Sequence, residues 1–111
     1  MFETKIEVIE YCKYIVQCLV NEDYSALEKK GILNRVSKED MKRVLLEYDK
    51  EHSISMPTTQ YFNELEVNEY TDQSGYWVDI NMFYHHQMSD LTLQLDFRKN
   101  GFVLIDDLHV L

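Results

Sequence analysis

Three glycines and a single proline in 111 residues leave this chain with little of what builds a backbone cradle for phosphate. Nothing in it approaches the roughly 18 consecutive apolar residues of a membrane span. The opening stretch MFETKIEVIEYCKY is charged throughout, so no apolar secretory core is expected either. Cysteine is scarce too. Cys12 and Cys18 lie six positions apart in one helical pattern, about 9 Å of rise on different faces, so they cannot bridge each other. Free thiols and no signal point to a reducing cytoplasm. Positive charge is the last shortage: 11 Lys and Arg against 20 Asp and Glu give a net charge of −9. That balance argues against nucleic acid or an anionic membrane as partner, and for a basic one.

What is present reads as one α+β domain over residues 1–111, with helices over about 3–50 and a sheet over about 61–111. A 13.3 kDa chain can bury a core without disulfides or metals. From about Glu3 to Val20, apolar residues including Ile6, Ile9, Val16 and Leu19 recur at helical spacing. Asn21 to Lys30 reads as a second, short helix with Gly31 as its stop. Ser37 is placed to cap a third, with Asp40 as the reciprocal acid of a capping box and Met41, Val44, Leu45 and Tyr48 as its apolar stripe, ending near Lys50. After Pro57 the period drops from 3.6 to 2. Leu65 and Val67, the run GYWVDINMFY, then Leu91 to Phe97, and finally Phe102 to Ile105 predict about four antiparallel strands. Lys99-Asn100-Gly101 marks a tight turn between the last two. Three helices packed on one face of such a sheet is the expected architecture.

The run GYWVDINMFY poses a question. If Tyr76, Val78, Ile80 and Met82 face the helices, Trp77, Asp79 and Phe83 face away from them, joined by Glu64, Glu66, Gln94 and Asp96. Residues 61–111 hold 2 basic and 9 acidic side chains, so the acidity belongs to the sheet half. Aromatic rings among carboxylates suit a protein-binding surface, with the rings as desolvated anchors and the acids steering a basic partner. Glu64, Glu66, Trp77, Asp79, Phe83 and Asp96 are therefore the candidate partner-binding residues, with Tyr70 and Tyr84 beside them. The competing expectation is that the loop after the helices, the N-terminal arm or a second copy of the chain, as a homodimer, covers Trp77 and Phe83.

Other constellations carry less. His85 and His86 are adjacent, so on a strand their rings would diverge, and His52 and His109 are isolated in sequence; no metal site and no cofactor are expected. Asp106, Asp107 and His109 could serve acid–base chemistry, but no nucleophile motif accompanies them. An Asp–His hydrogen bond near a strand bulge is the expected role, with no catalytic residue assigned.

The segments NEDYSALEKKG, SKEDMKRVLLEY, GYWVDI, SDLTLQLDF and IDDLHVL resemble a family of small bacterial α+β domains. More loosely they are similar to cystatin-like or NTF2-like sheets and to the immunity proteins of contact-dependent growth inhibition and polymorphic toxin systems. That resemblance implies a small, acidic, cytoplasmic protein that blocks the active site of a basic nuclease toxin. It transfers no contact residue by position. The expectation is a non-enzymatic inhibitor whose acidic sheet occludes a basic toxin domain. The alternative is an NTF2-like ligand-binding domain or small enzyme with a pocket between sheet and helices, in which Asp106, Asp107 and His109 would act.

Overall fold

Thr4 opens the first helix by accepting a hydrogen bond from Glu7 N through its hydroxyl. This is a computed structural model, and it describes residues 4–33 and 35–111. The expected helix start at Glu3 lies outside the described residues. α1 runs Lys5–Val20 and buries Val8, Cys12, Ile15, Val16, Cys18 and Leu19. α2 is shorter than expected, Tyr24–Lys29, because Asp23 caps it by accepting from Ala26 N. Gly31, at φ 73°, ends it in the left-handed conformation that glycine adopts without strain. α3 spans Lys38–Tyr48 behind a Ser37 cap that accepts from Asp40 N. The capping box is not reciprocal, since the Asp40 carboxylate turns to Arg43 at 3.3 Å instead.

Pro57 does not hand over directly to a strand. Thr58 caps a fourth helix, α4, Thr59–Asn63, by accepting from Tyr61 N. The strand expected around Leu65 and Val67 is therefore a loop whose Val67 is buried, and only β2, Asn68–Glu69, pairs. The alternation there came from a chain dipping one side chain at a time into the core. β1 is the two-residue Ile54–Ser55, and the long strands are β3 (Gly75–Tyr84), β4 (Gln87–Arg98) and β5 (Val103–Val110).

All pairings are antiparallel in the order β1-β3-β4-β5, with β2 on the same edge of β3 as β1. Tyr61 fills the gap between those two short strands: its hydroxyl accepts from Asn81 N at 2.8 Å and donates to Asn81 Oδ1 at 3.0 Å. That satisfies a backbone donor on an otherwise bare stretch of edge. Gly75 is fixed by close approach, since a Cβ there would stand 2.1 Å from the Phe97 carbonyl oxygen. Val78, Ile80, Leu93, Phe97 and Ile105 meet Val8, Cys12 and Ile15 with no exposed surface left. The expected α+β arrangement stands, and these side chains form the core between helices and sheet.

Candidate functional site

Register on the far side of the sheet places the candidate residues in transverse rows. Asn68 pairs with Trp77, Trp77 with Asp96 and Asp96 with Leu104. The next row is Asp79, Gln94 and Asp107, and the third is Asn81, Thr92 and His109. At about 4.8 Å per strand, Asp79 and Asp107 stand roughly 9.6 Å apart with Gln94 between them. The Gln94 amide donates to Asp79 Oδ1 at 3.3 Å, and Asp107 Oδ2 lies 2.6 Å from His109 Nδ1.

Two of the six candidates are closed over. Phe83 is 7% exposed, because the Tyr61 ring packs edge-on against it with centroids 5.0 Å apart. It belongs to the packed structure, but its cover comes from α4, not from the loop, arm or second copy expected to cover it together with Trp77. Asp96 is 2% exposed. The segment after β2 turns back so that Tyr70 OH donates to Asp96 Oδ1 at 3.0 Å, while Arg98 Nε donates to Oδ2 at 3.0 Å. Arg98 stacks 4.8 Å over the Tyr70 ring and reaches Ser74 Oγ at 3.1 Å, which pins the strap at both ends. Burial, then the bond to Asp96, pushes the Tyr70 hydroxyl up to about 12. Neither Phe83 nor Asp96 can touch a partner while this covering holds. Tyr84 is also removed from the surface: it lies on the helical side, stacks on Tyr48 and donates to the Leu45 carbonyl at 2.7 Å.

The other four remain available. Trp77 is 38% exposed and is the chain's only tryptophan. Asp79 is half-buried, and Glu64 and Glu66 are exposed beyond α4. Among the described residues no Lys or Arg pairs with Glu64, Glu66, Asp79 or Asp107. The helical cations answer mostly helical carboxylates, as in Lys13–Glu10, Lys38–Glu28 and Arg43–Glu47. The outer face therefore stays negative, with Arg98 spent on Asp96 and Lys99 on Glu69.

Asp107 is a site residue that alternation alone misses. Counting by twos from Val103 and Ile105 puts it in the core, but the register shifts between Gln94 and Leu95, and the bulge turns Asp107 outward and Leu108 inward. The apolar residues three apart, Ile105 and Leu108, were the available signal. Asp106 sits half-buried at the bulge itself: Arg35 Nη1 comes within 3.1 Å of its Oδ1, off the direction of a hydrogen bond, and burial, then the charge of Asp96, raises its pKa. The expected Asp107–His109 contact at a bulge is present.

His85 and His86 form the two-residue β3–β4 turn, both in the left-handed region at φ 50° and 63°. The sequence hides one neighbour. His52, isolated in the chain, packs its ring 5.0 Å from that of His85 at a 39° tilt and is held by Asp49 Oδ2 at 3.0 Å. No group of three or more metal-ligating side chains forms among the described residues, and no described helix is long and apolar enough to cross a membrane.

Residues 16–111 match a family described as "Domain of unknown function (DUF7668)". No curated protein matches the chain. No solved structure matches it.

Proposed function

We propose, for a chain that belongs to the DUF7668 family, that the outer sheet face is a docking surface for a basic protein, in the manner of a cytosolic immunity protein occluding a toxin domain. The carrying observation is Trp77: a large ring 38% exposed on a face whose carboxylates at Asp79 and Asp107 have no Lys or Arg partner among the described residues. Glu64 and Glu66, exposed in the loop between α4 and β2, add to the negative charge of the sheet half. A ring of this kind supplies a desolvated anchor, and carboxylates flanking it speed the approach of a cationic surface by about 10 to 10³ at low salt. Inhibition then follows from coverage: the acidic face stands where a nuclease's polyanionic substrate would lie. No chemistry by this chain is needed.

The test is capture of partners from the source cell with the native chain and with Asp79→Lys, followed by stopped-flow association of the captured protein read by Trp77 fluorescence. Support is a basic protein retained by the native chain only, whose association rate drops steeply with added salt. A partner held equally by Asp79→Lys, or a rate indifferent to salt, removes this reading.

A further inference from the structure

On the opposite side of the molecule from Trp77, an open groove of about 310 Å³ runs between the end of α1, α3 and β1. Part of its wall is apolar, formed by Leu19, Leu45, Leu46, Ile54 and Tyr84. Leu46 is 64% exposed, an apolar side chain that the fold leaves in water at the groove's lip. The Tyr84 hydroxyl is already satisfied by Leu45 O, so the floor asks nothing of a ligand but apolar contact. Two opposite charges line the same groove. Among the described residues neither Glu22 nor Lys42 forms an ion pair, and the Lys42 Nζ overlies the Tyr24 ring at 5.1 Å. They do not close on each other.

Of the four described non-glycine residues at positive φ, Glu22 (56°) lines the groove, and His85 lies against its wall residue His52. Glu22 follows the C-cap of α1, with its N–H on Leu19 O and the next N–H on Cys18 O, the position that glycine normally fills. A side chain kept where glycine would be less strained calls for a use.

We infer that this groove binds a free apolar α-amino acid: its ammonium on Glu22, its carboxylate on Lys42 with His52 beside it, and its side chain against Leu45, Leu46 and Tyr84. A groove of this size is at the small end for ligand sites. Unpaired opposite charges in one groove select a molecule that carries both.

The experiment is amide-resolved NMR titration of the full chain with L-leucine, isocaproate and isoamylamine, which share the apolar body but lack one charge or the other. Leucine should shift amides lining the groove with a dissociation constant on the order of 1 mM, and each analogue should bind about tenfold more weakly. Lys42→Gln should abolish the preference for leucine over isoamylamine. Glu22→Gly is the sharper variant: it should raise the unfolding midpoint by releasing strain, yet erase the preference for leucine over isocaproate. Equal binding of all three compounds, shifts outside the groove, no shift at all, or a lowered midpoint in Glu22→Gly would each overturn the inference. None of these outcomes bears on the outer face.

Discussion

Asp96→Asn tests whether the Tyr70 strap closes the outer face. Asp96 is a carboxylate 2% exposed with two charge-assisted or hydroxyl donors, Arg98 Nε and Tyr70 OH, each at 3.0 Å. Asparagine keeps an acceptor for Tyr70 but presents no charge to the guanidinium. Removing one partner of a fully buried pair costs about 3–5 kcal/mol. Arg98 is 40% exposed, however, and can turn to water, which brings the expected loss to about 2 kcal/mol. In a domain whose net stability is about 5–15 kcal/mol, that is a large share. Urea unfolding should show a lowered midpoint at unchanged slope, and thermal unfolding a drop of roughly 8 °C. Tyr70→Phe should cost about 1 kcal/mol, and the double variant should fall short of the sum, since both act on one carboxylate. If Asp96→Asn shifts stability by less than about 0.5 kcal/mol, as a surface substitution would, Asp96 is in water and the strap is not a cover.

Phe83→Ala should cost about 3 kcal/mol by urea unfolding, because the ring is core beneath Tyr61 and not contact surface; a near-neutral result would return it to the docking face. Alkaline pH should unfold the chain through Cys12, whose burial pushes its thiol up to about 12. The unfolded thiol loses its proton from about pH 9 while the folded one keeps it, so stability is intact below that pH and falls by about 1.4 kcal/mol per pH unit as pH rises toward 12. Cys12→Ala should remove that part of the slope between pH 9 and 10, where tyrosines contribute least; an unchanged slope refutes the assignment.

Period and punctuation made much of this legible. Tyr76, Val78, Ile80 and Met82 announced an inner face and are all buried, and Ser37 and Gly31 marked helix ends where the chain uses them. Legibility failed where a short element or a register shift intervened. Thr58 after Pro57 was a cap signal, yet the alternation of Leu65 and Val67 outweighed it, and α4 went unseen. The consequence reached the site, because Tyr61 from that helix is what buries Phe83. Asp96 looked exposed because strand parity reports which side a residue faces and nothing about what folds over it. Tyr70 comes from a loop, and no local pattern says where a loop will lie. The His52–His85 contact and the groove beside it are tertiary, built from residues more than thirty positions apart.

The central claim is that Trp77 sits in water within a negative field, and its fluorescence measures that directly. Caesium and iodide quenching of the native chain at low ionic strength should be compared, each normalised to free N-acetyltryptophanamide. The account predicts that caesium quenches relatively better than iodide, that the difference shrinks as salt screens the face, and that Asp79→Asn narrows it. Equal normalised quenching by both ions, or a ring neither ion reaches, would contradict it.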